Sequence, residues 1–491
     1  MAKTKMNFLK KYWLIILILF VGAFFRLYNI DGYMTFLGDE GRDAIIVRNL
    51  LVKADPILIG PGTSVGGMYL GPLYYYFMAP FLLLANFSPV GPAVGVALLG
   101  VDTIYLIYVV GKDWFGEKAG IIAALLFAIS PTVITYSHSS WNPNIMPFFS
   151  LLSIYSVWKV WKKKQYIWLI ITSISFAFVC QSHYLGVLIA PVLFIFWFLS
   201  RVPKKYSLIS VFVYLFLMSP LLAFDIRHDW MNSRALYKFL TVRDETVAIT
   251  PWTAIPKAYP IFEQVNGSML TAKHQQTARI VSIIIIAYLV FVYTGKDIVT
   301  KKKYILLVLW FAFGLIGFGL YKQNVYDHYF GFLFPVPFLL LGGFFAARLR
   351  LKSKLMNVLV YLIVVYLVFL NLKSNPFMYH PNNQMQRAKN VSNKVLEIAE
   401  GKPFNLAVLA ERNYEDGYRY FMEVAGAQVM HADRWDQKTI VDNLIVICEM
   451  PKEKCDPTHS PKAEVANFGW SKIDSDFEVD GVIIYKLIHT K

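Results

Sequence analysis

Long apolar runs separated by short polar loops occupy most of the first 371 positions of the chain. Each run approaches the ~20 residues that a helix needs to cross the hydrocarbon core of a bilayer. The pattern predicts eleven membrane spans, near residues 11–28, 91–110, 119–136, 144–161, 167–182, 184–200, 206–224, 278–294, 304–321, 329–347 and 355–371. We therefore predict an all-α polytopic membrane bundle.

The basic residues between these runs set the orientation. They cluster at the N-terminus and at 162–164, 201–205, 301–303 and 348–354. Short loops rich in Lys and Arg stay in the cytoplasm. All five clusters face the cytoplasm only if one further apolar run, at 68–85, does not cross. Its glycines and prolines favour a broken, re-entrant segment. The prediction is a multi-pass protein of the cell membrane with a cytoplasmic N-terminus.

Two domains follow from this topology. Residues 1–371 form the transmembrane domain, whose first outer loop, 29–90, carries a helix at 39–53 in the membrane interface and the re-entrant segment 68–85. Residues 372–491 lie outside the cell and alternate helical and strand patterns. The sequence predicts helices near 384–400 and 416–424 and strands at 404–409 and 444–448. This is a small C-terminal α/β extracytoplasmic domain.

Composition supports a membrane protein, with 56% hydrophobic residues and a mean hydropathy of +0.47. The net charge of +16 comes from the short loops, so it reports topology, and we expect membrane lipids rather than nucleic acid as partners. Cys448 and Cys455 either pair, if the tail lies outside, or remain free. The chain lacks a Walker loop, a dinucleotide-binding glycine turn, HExxH and paired CxxC motifs, so we expect no cofactor.

Acidic residues follow the first span directly. Asp39 and Glu40 are the candidate catalytic residues, because a carboxylate at the membrane surface can act as a base toward a lipid-borne substrate. Arg42 and Asp43 follow as candidate substrate-binding residues, and Asp43 shares a helix face with Asp39. The alternative is a solvated helix start, where acidic residues are favoured.

Further polar groups stand at the outer ends of later spans. The segment 136–144 carries His138, Trp141 and Asn142, and His183 lies between two outer helix ends. We take all four as candidate substrate-binding residues. Three of them also have a structural interpretation: Asn142 as a helix cap, Trp141 as part of an aromatic belt, and His183 as a packed histidine.

A basic patch contradicts the topology rule, because Arg227, His228 and Arg234 lie on the outer side. Guanidinium groups suit bidentate phosphate binding, although Asp225 and Asp229 are possible salt-bridge partners instead. His328 and Tyr329 begin another span on the same side, where the tyrosine alone would be an ordinary belt residue. We take Arg227, His228, Arg234, His328 and Tyr329 as candidate substrate-binding residues.

The order of these features resembles the GT-C superfamily of polyprenyl-phosphate-sugar-dependent glycosyltransferases. Within it, the chain is most similar to bacterial relatives of protein O-mannosyltransferases and lipid A aminoarabinose transferases. The similarity covers roughly residues 10–350. It rests on Asp39-Glu40 after the first span, Gly-Pro-Leu-Tyr-Tyr at 71–75, Phe115-Gly116 before a span that ends Ser130-Pro131, and His328-Tyr329 followed by Pro335.

The resemblance implies that Asp39 is a catalytic base. It would deprotonate or orient an acceptor hydroxyl, which attacks the anomeric carbon of a sugar on a polyprenyl phosphate and inverts that centre. The acceptor would be a protein or a glycolipid at the outer face. Candidate groups for the leaving phosphate are Arg227, His228 and His328, and candidates for stacking on the sugar are Tyr74, Tyr75 and Trp141.

One departure from the family concerns metal. Relatives often carry a second acidic residue in the second outer loop, where this chain has Asn142 or Asn144. An amide binds a divalent cation more weakly than a carboxylate does, so we predict a metal-independent reaction.

Two other classes of protein remain open from the sequence. A lipid-linked-sugar transporter, or flippase, would need polar residues deep in several spans, and mainly Asp102 lies at such a depth. A membrane-anchored binding protein would act through the tail.

Overall fold

The computed structural model describes residues 2–241, 250–351 and 353–490, so Lys352 of the last basic cluster lies outside it. Helices dominate the membrane domain. In chain order they are α1 (Ala2–Leu27), α2 (Ile30–Tyr33), α3 (Gly38–Lys53), α4 (Leu73–Leu84), α5 (Val90–Phe115), α6 (Glu117–Ile129), α7 (Pro131–Ser137), α8 (Met146–Lys163), α9 (Trp168–Ser182), α10 (Ala190–Ser200), α11 (Lys204–Arg227), α12 (Met231–Thr241), α13 (Ile255–Leu270), α14 (Gln275–Thr294), α15 (Ile298–Leu320), α16 (Pro335–Leu349) and α17 (Lys354–Lys373).

Short 3₁₀ turns connect several of these helices on one side of the bundle, at Asn142–Ile145, Tyr184–Ile189, Pro251–Ala254 and Asp327–Leu333. Within the described residues, five helices are long and apolar enough to cross a membrane: α5, α11, α14, α15 and α17. Two bent pairs, α6 with α7 and Asp327–Leu333 with α16, raise this number to seven if each is one span. The chain is thus a multi-pass membrane protein, and the count of eleven spans stays a prediction.

The bend between α6 and α7 has a local cause and a distant partner. Pro131 begins α7 and has no N–H, so the last carbonyls of α6 lack their helical donors. Arg26, fully buried near the end of α1, donates to the carbonyls of Ala128 at 2.9 Å and Phe127 at 3.3 Å. The Arg26 guanidinium therefore supplies the hydrogen-bond donors that the last carbonyls of α6 lack. It thereby stabilises the bend that leads to the loop at 138–144.

The helix α4 is one of the shorter apolar helices of the bundle. Its 12 residues extend only about 18 Å, against the ~30 Å of a hydrocarbon core. The Gln181 side chain, from the end of α9, accepts a hydrogen bond from the Leu73 N–H in the first turn of α4 at 3.2 Å. Its amide nitrogen donates to the Leu217 carbonyl at 2.9 Å. This side chain ties the segment to two neighbouring helices.

The C-terminal domain is a sheet with helices packed on it. The strands are β1 (Phe404–Leu409), β2 (Val429–Met430), β3 (Asn443–Cys448), β4 (Ser471–Val479) and β5 (Val482–His489). Their order in the sheet is β2-β1-β3-β5-β4. Strand β1 is parallel to β2 and β3, and β5 is antiparallel to β3 and β4. The helices are α18 (Gln384–Ala399), α19 (Asp416–Val424) and α20 (Ala463–Phe468), with 3₁₀ turns at Pro376–Met378, Gln437–Thr439 and Lys452–Lys454.

Four of these elements were predicted from the sequence, whereas the final hairpin of β4 and β5 was not. The turn between β4 and β5 is Asp480-Gly481, and both residues have positive φ, at 49° and 74°. Asp-Gly is a common pair in two-residue hairpin turns because such turns need two left-handed residues. This dipeptide, flanked by β-branched and aromatic residues, was the available signal.

The C-terminal domain packs directly on the first outer loop. Helix α19 lies against α3, and Tyr420, Phe421 and Phe36 share one apolar cluster, with ring centroids of Phe36 and Phe421 5.4 Å apart. The hydroxyl of Tyr420 donates to the Phe87 carbonyl at 2.5 Å. Gly41 lies at the closest approach, where a Cβ atom would overlap the backbone of residues 416 and 417. The two domains therefore form one packed unit.

The two tail cysteines, Cys448 and Cys455, form a disulfide. It joins the end of β3 to the 3₁₀ turn at Lys452–Lys454. Of the two possibilities left open by the sequence, the structure has the paired one.

Candidate functional site

The start of α3 holds three carboxyl groups in different environments. Asp39 is half exposed and accepts from the Arg42 guanidinium at 2.8 Å. The same guanidinium reaches the Oδ1 atom of Asp43 at 2.7 Å. Asp43 is fully buried, and its Oδ1 atom also accepts from the hydroxyl of Tyr75 at 2.9 Å. The buried Asp43 thus holds the Arg42 guanidinium in place, and this guanidinium in turn binds the exposed carboxylate of Asp39.

Glu40 has a structural position next to this pair. Its Oε2 atom accepts from the Leu37 N–H at 3.0 Å, which satisfies a free backbone donor at the helix start. The side chain is 7% exposed. Burial is the largest cause that raises the pKa of Glu40, to about 7, and the neighbouring Asp39 and Asp43 charges add to it. Glu40 therefore titrates near neutral pH.

Replacement of Glu40 with glutamine is expected to remove a pH dependence of stability. The unfolded chain loses this proton near pH 4.5 and the folded chain near pH 7, so the free energy of unfolding falls between these values and is level above them. The amide resembles the protonated acid. Above pH 8, Glu40→Gln should exceed the wild type by on the order of 3 kcal/mol, and near pH 4 the two should agree.

Apparent melting temperatures of the purified proteins from pH 4 to 9 would measure this effect. Asp55→Asn, an exposed acid in the same loop, is the matched control and should follow the wild type. A difference between Glu40→Gln and wild type that stays constant with pH would contradict the assigned ionisation.

Two cavities meet at Asp39. The first, which we call the tail-side cavity, has a volume of about 220 Å³ and contacts both domains. The second, the loop-side cavity, has a volume of about 250 Å³ and lies among the outer loops of the bundle. Asp39 and Trp141 line both of them. A group bound in either cavity therefore comes next to the same exposed carboxylate.

The loop-side cavity gathers side chains from four separate loops. The Trp141 and His328 rings have centroids 4.6 Å apart, and the His183 ring lies 5.0 Å from that of Tyr329. Arg42 and Asn142 also line this cavity. The structure thus brings together seven of the predicted site residues: Asp39, Arg42, Trp141, Asn142, His183, His328 and Tyr329.

His183 has a defined hydrogen-bonding role here. Its Nδ1 atom accepts from the Leu185 N–H at 3.2 Å, so in the neutral ring the proton is on Nε2. Burial lowers the pKa of His183 to about 3, which keeps the ring neutral at physiological pH. The side chain can therefore offer an N–H donor to an anion without carrying a charge.

Four predicted binding residues are buried and make contacts within the protein itself. Tyr74 and Tyr75 are each 1% exposed, and the Tyr74 hydroxyl is 2.7 Å from the Ser140 hydroxyl. His138 is buried against the rings of Tyr33 and Phe377. Asn142, besides lining the loop-side cavity, does not cap its 3₁₀ turn but donates to the Ser182 carbonyl at 2.5 Å. Burial therefore removes Tyr74, Tyr75 and His138 from both cavity walls.

The predicted basic patch lies away from Asp39. His228 and Arg234 line a separate cavity of about 390 Å³, together with Gly66, Gly67 and Lys238. Arg227 is exposed and lines neither cavity beside Asp39. The suggested partner Asp225 instead accepts from Asn232 and Ser233 at the start of α12. Asp102, on which a transport function would depend, is exposed on α5.

The C-terminal domain contributes residues that the sequence analysis did not identify. Arg412 and Tyr414 line the tail-side cavity with Asp39, and the Asn413 side chain accepts from the Gly38 N–H at 3.0 Å. These three residues lie in the loop between β1 and α19. The available signal was the pair of glycines at 38 and 41 in α3, since glycine allows close backbone approach.

The model of the dolichyl-phosphate-mannose-protein mannosyltransferase family matches residues 70–224, about a third of the chain. The match begins after Asp39 and includes Trp141, Asn142 and His183. A comparison of the sequence with curated proteins gives no significant match.

Solved structures of two membrane glycosyltransferases share the fold over nearly the whole chain. ArnT from Cupriavidus metallidurans, bound to undecaprenyl phosphate, has a TM-score of 0.60 at 12% identity, covering 97% of this chain and 98% of its own. The oligosaccharyltransferase AglB from Archaeoglobus fulgidus, with an inhibitory peptide and a dolichol-phosphate, has a TM-score of 0.55 at 14% identity, covering 89% and 70%. A structure of the Archaeoglobus fulgidus oligosaccharyltransferase with zinc and sulfate gives 0.55 at 15%, covering 88% and 67%.

The predicted resemblance to the GT-C superfamily is confirmed by these comparisons. The fold is that of a GT-C membrane glycosyltransferase with a C-terminal domain.

Proposed function

We propose that the chain is an integral-membrane inverting glycosyltransferase. It moves a hexose or pentose from a polyprenyl-phosphate donor to the hydroxyl of a protein or glycolipid acceptor at the outer face of the cell membrane. The N-terminus is cytoplasmic and the C-terminal domain is outside. The observation that carries the proposal is the position of Asp39, a half-exposed carboxylate at the meeting point of two cavities.

The loop-side cavity suits the donor. Its histidines, His183 and His328, and the guanidinium of Arg42 offer N–H donors to a phosphate. Trp141 offers an aromatic face to a sugar. As the glycosidic bond breaks, negative charge develops on the leaving phosphate, and donors already in place stabilise it without reorganisation. Arg42, His183 and His328 take the role that the sequence analysis gave to Arg227, His228 and His328.

The tail-side cavity suits the acceptor. Tyr136, Ser139 and Tyr414 line this cavity together with Asp39, and Arg412 adds a positive charge. An acceptor hydroxyl in this cavity lies beside the same carboxylate as a donor in the loop-side cavity. Asp39 accepts the hydroxyl proton as the oxygen attacks the anomeric carbon, and attack on the face opposite the leaving phosphate inverts that centre. In this proposal Asp39 is the catalytic residue, and Glu40 and Asp43 are positioning residues.

We expect the reaction to proceed without a divalent metal. The Asp39 and Asp43 carboxylates both bind Arg42, whose guanidinium occupies the place that a cation between them would take. The side-chain N–H of Asn142 donates to the Ser182 carbonyl rather than contacting Asp39. The residues present therefore fit a guanidinium better than a metal ion.

Treatment of the purified enzyme with excess EDTA should leave transfer within about twofold of the untreated rate, since no metal takes part in the chemistry. Initial rates before and after chelation would measure this, with a buffer-only sample as the control. Loss of activity that Mg²⁺, Mn²⁺ or Zn²⁺ restores would refute metal independence.

The function itself is tested by supplying membranes that contain the protein with a panel of radiolabelled polyprenyl-phosphate sugars. We expect label from one donor to appear in a protein or glycolipid fraction. The same donors in liposomes test for flipping. Label that crosses the bilayer without reaching any acceptor would favour a lipid-linked-sugar transporter and overturn the proposal.

A further inference from the structure

Three metal-ligating side chains converge in the C-terminal domain, away from the Asp39 cavities. Glu415 directly precedes α19, His431 follows β2, and Glu464 lies in the first turn of α20. One ligand atom from each lies within 4.8 Å of the other two. The three residues come from separate parts of the sequence, so the fold rather than local chain geometry brings them together.

None of these three side chains forms a hydrogen bond or an ion pair within the described part of the chain. The nearby cation Lys462 lies over the ring of Tyr414, 5.7 Å from its centroid, and does not neutralise either carboxylate. Two carboxylates held this close repel each other unless a cation lies between them. Among the residues that the structure describes, neither carboxylate has a salt-bridge partner.

We propose that Glu415, His431 and Glu464 bind a divalent transition-metal cation of the Zn²⁺ class. Zn²⁺ bonds to imidazole nitrogen and carboxylate oxygen at about 2.0–2.2 Å, which places tetrahedral ligands about 3.3–3.6 Å apart. The observed spacing accommodates this with small side-chain movements. Three protein ligands leave a fourth position for water. The imidazole ligand favours this class over Ca²⁺ and Mg²⁺, which prefer oxygen ligands alone.

The ion would connect the loop 410–415 to β2 and α20. That loop carries Arg412 and Tyr414 to the tail-side cavity. The three ligands line neither cavity beside Asp39. We therefore expect removal of the ion to lower the melting temperature of the C-terminal domain and to leave the transfer rate within about twofold. The assignment does not depend on the reaction proposed above.

Equilibrium dialysis of the full chain with Zn²⁺ alone tests the site. The protein should be purified without a histidine tag, stripped with EDTA and dialysed. Wild type is expected to bind one Zn²⁺ per chain, and His431→Gln and Glu464→Gln should each weaken binding at least tenfold. His459→Gln, an exposed histidine in the same domain, is the matched control and should bind as the wild type does.

Zn²⁺ should also raise the apparent melting temperature of wild type and of His459→Gln but not of the two site variants. Equal binding by wild type and His431→Gln would overturn the site, as would the absence of binding to wild type.

Discussion

Replacement of Asp39 with asparagine is expected to lower the rate of sugar transfer by at least ~100-fold. A positioned general base contributes about 10²–10⁴-fold to proton transfer, and the amide cannot accept the hydroxyl proton. The fold should tolerate the change, because the ion pair that it removes joins side chains that are 32% and 48% exposed. Exposed pairs of this kind contribute little to stability.

Initial rates of transfer from the active donor, measured in reconstituted vesicles, would test this expectation. The melting temperature of Asp39→Asn should match the wild type, which separates a chemical effect from misfolding. Asp55→Asn, which removes an exposed carboxylate from the same loop, should transfer at the normal rate. Normal transfer by correctly folded Asp39→Asn would exclude Asp39 as the base.

Replacement of Gly41 with alanine is expected to weaken the contact between the two domains. In an isolated helix this change would stabilise by about 1 kcal/mol. Here the added Cβ would overlap the backbone at the start of α19, and backbone atoms cannot rotate away as a side chain can. Overpacking costs about 1–3 kcal/mol. Because Arg412 and Tyr414 belong to the displaced segment, transfer should fall at least ~10-fold.

Limited proteolysis and transfer rates together would test the Gly41 prediction. The variant should release the C-terminal domain to trypsin faster than the wild type does. Val52→Ala, at an exposed position of the same helix, should change neither property. If Gly41→Ala instead raised the melting temperature with full activity, helix propensity would dominate and the close approach would be unimportant.

The structure also assigns different roles to adjacent acids that look equivalent in the sequence. Asp39, Glu40 and Asp43 lie within one turn of α3, yet only Asp39 is substantially exposed. The other two are buried. Glu40 accepts a hydrogen bond from the backbone N–H of Leu37, and Asp43 binds Arg42 and Tyr75. Because the buried Asp43 fixes the Arg42 guanidinium, Arg42 stays oriented toward the exposed Asp39. The site thus has one candidate base and a rigid support.

The sequence by itself determined the features that repeat along the chain. Apolar runs located helices, and periodicity located β1 and α19 of the tail at their observed bounds. These predictions succeed because helix and strand periods are local properties of consecutive residues.

Only the tertiary structure decided which of the polar side chains meet. Arg227 and His228 looked as suitable for a phosphate as Arg42, but the fold places His183, His328 and Arg42 beside Asp39 and leaves the other two elsewhere. Arg412 and Tyr414 reach Asp39 from more than 370 positions along the chain. Such long-range contacts depend on how helices and loops pack against each other, and the local sequence pattern does not determine that packing.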